Sequence, residues 1–155
     1  MSSNIDGGDG GVGGRKRFRV MVVDDYPDAA EITCVLLRIL GHDGRAVHRG
    51  DVALEVAEEF CPDIAIVDLG LPDMSGIDVG RALRQRARRA LHLAALTGWT
   101  DQKLRGSTYE AGFDQFLLKP TTKSVLESIL AKASGAVRAS LPRSGGPTEC
   151  RSTVF

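Results

Sequence analysis

Asp24-Asp25, Asp68, Thr97 and Lys119 are the residues of this 155-residue chain whose types and placement can do chemistry together. Each closes a short apolar run: VMVV before Asp24, IAIV before Asp68, LHLAAL before Thr97 and FLL before Lys119. Three carboxylates gathered in one place repel one another and raise each other's pKa. A hard divalent cation resolves that conflict. Mg2+ takes oxygen ligands, keeps several waters and binds through one or two carboxylates plus a phosphate. With the other carboxylates holding the metal, one is left as a nucleophile toward a phosphoryl group. The Lys119 ammonium, the Thr97 hydroxyl and the cation would then neutralise the phosphoryl oxygens, which is most of what phosphoryl transfer asks of a protein.

Those residues converge only if the apolar runs are neighbouring parallel strands. Phe18–Val23 is a continuous, largely β-branched run, as expected of a strand buried on both faces. A helix follows from Pro27 to Leu40, with Pro27 in its first turn, Ile32, Val35, Leu36 and Ile39 at helical spacing, and Gly41 as its stop. The alternation continues. Strands are expected at Arg45–Val47, Ile64–Val67, Leu91–Leu96 and Phe116–Leu118. Helices are expected at about Asp51–Phe60, Ser75–Ala87, Thr100–Glu110 and Thr122–Ala133. Five strands alternating with five helices imply an α/β fold, a parallel sheet covered on both faces through right-handed crossovers. Ligands of such sheets bind beyond the carboxyl ends of the strands, where all the polar residues above lie.

The remaining sequence narrows the class. Twenty basic residues balance twenty acidic ones, so net charge points to neither nucleic acid nor membrane. No apolar run approaches the length of a membrane span, and a cytoplasmic protein is expected. Cys34, Cys61 and Cys150 lack metal-ligand spacing and read as three reduced thiols. Residues 1–15, rich in glycine, read as a flexible leader, 16–135 as the folded domain and 136–155 as a flexible tail. No room is seen for an attached effector or nucleic-acid-binding domain. Arg81, Arg84 and Arg88 fall at helical spacing, with Arg86 and Arg89 nearby. They read as a solvated face, with an acidic partner or a nucleic-acid backbone as the alternative.

The segments VVDDYPDAAE, VDLGLPDMSGIDV, ALTGW and AGFDQFLLKP, in this order and spacing, resemble the four signatures of the response-regulator receiver family of two-component signalling. The resemblance runs from about Phe18 to Ala133. It implies a flavodoxin-like sheet of order 2-1-3-4-5, with Asp68 as phosphoacceptor. It makes Asp25 a direct Mg2+ ligand, Asp24 a ligand through water, and the Gly70 backbone carbonyl the main-chain ligand. Thr97 matches the switch hydroxyl, Lys119 the active-site lysine and Phe116 the switch aromatic, which here lacks a hydroxyl. Gly70 and Trp99, each two residues beyond a site residue, flank the path of the hydrolytic water and are expected to set the phosphoryl lifetime.

The resemblance further implies phosphoryl transfer from a histidine kinase or histidine phosphotransfer protein. The output would be read by a protein target through the fourth helix, fifth strand and fifth helix. Such a chain is a self-phosphorylating and self-dephosphorylating switch rather than an enzyme. Two other classes compete. A Mg2+-dependent aspartyl-phosphate phosphatase would carry a second carboxylate two residues after the nucleophile, where this chain has Gly70. A phosphorylation-independent binding module has no need of the full set Asp24, Asp25, Asp68, Thr97 and Lys119.

Overall fold

The computed structural model describes residues 16–98 and 102–139. Its elements alternate without exception: β1 (Arg19–Val23), α1 (Pro27–Ile39), β2 (Asp43–Val47), α2 (Gly50–Phe60), β3 (Ile64–Asp68), α3 (Gly76–Arg86), β4 (His92–Thr97), α4 (Gln102–Glu110), β5 (Gln115–Leu118) and α5 (Lys123–Ala139). The five strands form one sheet in the order β2-β1-β3-β4-β5, and every pairing is parallel. This is the topology expected from the sequence, with boundaries displaced by a residue or two. The exception is α5, which continues to Ala139 rather than ending near Ala133.

Successive side chains of a strand point to opposite faces, so each central strand feeds two cores. Val20, Val22, Ile64, Ile66, Ala94 and Leu96 pack with Ala30, Cys34 and Leu37 of α1 and with Leu126, Ile129 and Ala133 of α5. Met21, Val23, Ala65, Val67, Leu93 and Ala95 face the other way, against Ala53, Val79, Leu83 and Phe113. Burial on both faces is why β1, β3 and β4 read as unbroken apolar runs. Each fully buried Val, Leu or Ile contributes roughly 1.5–3 kcal/mol.

Three expectations are corrected. Of the apolar residues at helical spacing in α1, Ile32, Val35 and Ile39 are exposed, and the buried face is Ala30, Thr33, Cys34 and Leu37. The helix sits close over β2: a Cβ on Gly44 would lie 3.1 Å from the Cys34 Cα and Cβ, so small residues must face the sheet there. Among the arginines, Arg81, Arg86, Arg88 and Arg89 form the exposed face expected, and Arg84 alone departs from it. Arg84 donates to the Leu91 carbonyl at 2.6 Å and the Gly112 carbonyl at 2.7 Å, and pairs with Asp114 at 2.7 Å. Arg81 pairs with Asp78, and Arg89 with the buried Asp63. Finally, Cys34 is a free, fully buried thiol whose pKa burial pushes up to about 11, but Cys61 is disulfide-bonded rather than reduced. Cysteine spacing alone does not say which sulfurs meet in space.

Candidate functional site

The polar residues sit where the apolar runs stop because the runs stop at the sheet's edge. Asp24 follows the last residue of β1, Asp68 ends β3, Thr97 ends β4 and Lys119 follows β5. Ladder bonds carry the register past the strands: the Leu69 N–H donates to the Leu96 carbonyl at 3.0 Å, and the Lys119 N–H to the Thr97 carbonyl at 2.9 Å. The side chains at these four strand ends therefore share one edge, as the sequence reading requires.

The carboxylates of Asp24, Asp25 and Asp68 each offer an oxygen, all within 4.8 Å of one another, Asp24 and Asp68 buried and Asp25 exposed. Lys119 Nζ lies 2.9 Å from Asp68 Oδ2 and 3.8 Å from Asp24 Oδ2. The other Asp68 oxygen accepts the Gly70 N–H at 3.0 Å, and Asp24 Oδ1 accepts the Tyr26 N–H at 3.0 Å. Burial, and then the negative charge of Asp68, push the Asp24 carboxyl above its ordinary range, against the pull of the Tyr26 N–H and Lys119. Burial alone would lower the Lys119 pKa, but its hydrogen bond to Asp68 and the charges of Asp68, Asp24 and Asp25 raise it instead. One ammonium against three carboxylates leaves two negative charges. That all-oxygen donor set and charge deficit fit a hard divalent cation such as Mg2+, held by Asp24, Asp25 and Asp68.

Around this cluster the surface is open where a phosphoryl group would enter. Among the described residues, a Cβ on Gly98 would meet nothing within 4 Å, and one on Gly70 would meet only Asp68 Oδ1 at 3.7 Å. Thr97 is buried beneath it. Phe116 is partly buried against the α2/α3 core, with the Arg105 guanidinium 5.3 Å from its ring centre. Residues 1–15, 99–101 and 140–155 lie outside the described residues, so the Trp99 expectation has no structural counterpart here. A groove of about 350 Å³ lies between α2 and α3, lined by Leu54, Ala57, Leu83, Arg86 and Leu91. It opens near the amino ends of β3 and β4, away from the carboxylates, and is no part of this chemistry.

Sequence reasoning passed over Asp73, five residues after Asp68. Its carboxylate accepts the Gly50 and Asp51 N–H groups at the start of α2, at 3.0 and 3.1 Å. An Asp in a Pro-Asp turn signals a local bend, and nothing in that signal names a partner more than twenty residues away.

With this geometry in place, known proteins give a consistent comparison. The chain is 39% identical over 104 residues to the DNA-binding response regulator MtrA of Mycolicibacterium smegmatis, covering 67% of this chain and 45% of that protein. It is 35% identical over 119 residues to the transcriptional regulatory protein KdpE of Mycobacterium tuberculosis, covering 77% of this chain and 50% of that one. The chain thus spans about half the length of these curated relatives. In fold it resembles the crystal structure of a CheY-like response regulator receiver domain protein from Methanospirillum hungatei. That likeness has a TM-score of 0.73 at 23% identity, covering 80% of this chain and 99% of the other. Residues 20–131 match the response regulator receiver domain, and the chain belongs to that family.

Proposed function

We propose that this receiver takes a phosphoryl group on Asp68 from a histidine kinase or histidine phosphotransfer protein and holds it as a signal. The observation that carries this reading is the Asp68 carboxylate, placed within 4.8 Å of two further carboxylates and 2.9 Å from the Lys119 ammonium. A carboxylate so placed is oriented by the Gly70 N–H on one oxygen and Lys119 on the other.

An Asp68 oxygen attacks phosphorus, the bond from phosphorus to the donor nitrogen breaks, and that electron pair leaves with the donor imidazole. The product is an acyl phosphate on Asp68. Mg2+, when bound, would supply positive charge against the carboxylates and the phosphoryl oxygens. Lys119 meets the developing charge from the β5 side, and the Thr97 hydroxyl is drawn toward the new oxygens from β4. Decay is hydrolysis of the same acyl phosphate, so the chain is a self-resetting switch rather than a multiple-turnover enzyme. The readout surface is assigned to α4, β5 and α5, where Tyr109 and Leu118 are exposed beside Phe116. A protein target there and a cytoplasmic setting belong to the same proposal.

Intact-mass analysis after incubation with Mg2+ and acetyl phosphate tests it. The expected result is a Mg2+-dependent gain of one phosphoryl group that Asp68→Asn abolishes. No gain in the wild type, once Mg2+ binding is established, would overturn it in favour of a phosphorylation-independent binding module.

A further inference from the structure

The loop between β3 and α3 carries Gly70, whose N–H orients Asp68 and whose carbonyl is assigned to the metal. Three of its attachments run to the neighbouring strand, to the loop itself and to α3. The Leu69 N–H bonds to Leu96 of β4, the Gly76 N–H returns to the Leu69 carbonyl at 3.3 Å, and Ser75 caps α3 by accepting the Ile77 N–H at 3.1 Å. A Cβ on Gly76 would run into the Asp68 carbonyl and the Leu69 Cα, so this end of the loop packs directly on its beginning.

The fourth attachment crosses to α2. α2 begins after Arg49, which makes no side-chain capping bond of its own. The first N–H groups of a helix need acceptors from elsewhere. Here Gly50 and Asp51 give theirs to Asp73, and Val52 gives its own to the Asp51 side chain at 2.8 Å. Met74 closes over the same point: a Cβ on Gly50 would fall 2.5 Å from Met74 Cγ and 2.8 Å from Val79 Cγ2. Asp73 and Met74 thus dock the middle of the loop on the start of α2 through two carboxylate bonds and a close packing contact. The bonds from Gly50 first, with those from Asp51 and its own amide, hold the Asp73 carboxyl below its ordinary range, so it is ionised and a strong acceptor at neutral pH.

We propose that Asp73 is a positioning residue for the phosphorylation chemistry: its cap on α2 anchors the loop from outside and keeps the Gly70 main chain aimed at Asp68 and the metal. This rests on the proposed function above. Its consequence is that α2, which contributes no ligand, is mechanically part of the site. A rigid Gly70 is needed because a main-chain ligand has no rotamer with which to correct a displaced loop.

The test compares the full chain with Asp73→Ala, Asp73→Asn and the double variant Asp73→Ala/Arg49→Ser. Serine at position 49 gives α2 a cap of its own, since the backbone there is extended as a cap requires. It restores the helix without restoring the tie to the loop. Calorimetric Mg2+ titration is the primary readout. Loss of an outer support for a ligand should raise the Mg2+ Kd about 10-fold in Asp73→Ala, with an intermediate rise in Asp73→Asn. Phosphorylation by acetyl phosphate should need correspondingly more Mg2+ and stay slower than wild type at saturation, because the Gly70 N–H also orients Asp68. The double variant should recover the thermal midpoint and leave Mg2+ affinity weak. An unchanged Mg2+ Kd in Asp73→Ala, or recovery of affinity together with stability in the double variant, would overturn the inference and leave Asp73 as a helix cap alone. Failure of the wild type to bind Mg2+ would instead overturn the underlying function, and this inference with it.

Discussion

Replacing Asp24 by Asn should stabilise the metal-free protein. Three carboxylates lie within 4.8 Å of one another, so each pair repels by about 3–4 kcal/mol at an effective dielectric of about 20. Asp24 takes part in two such pairs. Against them stands its attraction to Lys119 at 3.8 Å, worth about 4 kcal/mol on the same scale. The exposed Asp25 is the more screened partner, which leaves a net release of about 1–3 kcal/mol, or roughly 4–10 °C in Tm for a unit of this size. The pH dependence has a definite sign. The folded Asp24 carboxyl sits above its ordinary value of 3.8, chiefly through burial, so the folded state keeps a proton that the unfolded chain would lose. Metal-free stability should fall as pH rises from that ordinary value through the raised one, and Asp24→Asn should flatten this slope. Mg2+ at 100 times its Kd stabilises by about 2.7 kcal/mol, and the variant, short of one ligand, should gain less. Thermal scans with chelator and with Mg2+, across pH, read all three effects. A lower metal-free Tm in Asp24→Asn, or equal stabilisation of both proteins by Mg2+, would refute the reasoning.

Two other substitutions separate structure from chemistry. Arg84→Met removes charge-assisted bonds to the Leu91 and Gly112 carbonyls and to Asp114, and should cost about 2–4 kcal/mol in urea denaturation without changing acetyl phosphate uptake. An unchanged midpoint would count against Arg84 as a clamp. Trp99→Ala should change the decay rate of the Asp68 phosphoryl group several-fold, followed by mass analysis after removal of the donor. An unchanged rate would remove the idea that Trp99 and Gly70 set the lifetime.

The strands and the polar residues at their ends were legible for one reason. A central parallel strand is apolar on both faces, so its run ends sharply where the chain leaves the sheet, and the first polar residue marks the ligand edge. Asp24, Asp68, Thr97 and Lys119 are such residues. Helices gave less away, because their apolar stripe does not say how closely they approach the sheet. Ile32, Val35 and Ile39 fit a helical face as well as Ala30, Cys34 and Leu37 do. Only the close approach of Cys34 to Gly44 decides between them. Arg84 and Asp73 were illegible for a related reason. Their partners, Gly112 and Gly50, lie more than twenty residues away and interact through main-chain groups, which carry no residue-type signal.

The same magnitudes indicate how Phe116 can serve as a switch. Its visible polar tie is Arg105 over the ring, a contact worth about 0.5–1 kcal/mol at an exposed site. A phosphoryl oxygen drawing in the Thr97 hydroxyl makes a charge-assisted bond worth about 1.5–3 kcal/mol. The second outweighs the first, so a shift of Thr97 that opens space inward can move the ring against the Arg105 contact. A tyrosine there would need a partner for its hydroxyl in each position, whereas phenylalanine moves inward with no polar group left unsatisfied. Under the proposed function, a switch in this chain would work by packing. Its bias would be set at Thr97, and the α4–β5–α5 surface is where we propose that the change in shape becomes visible to a partner.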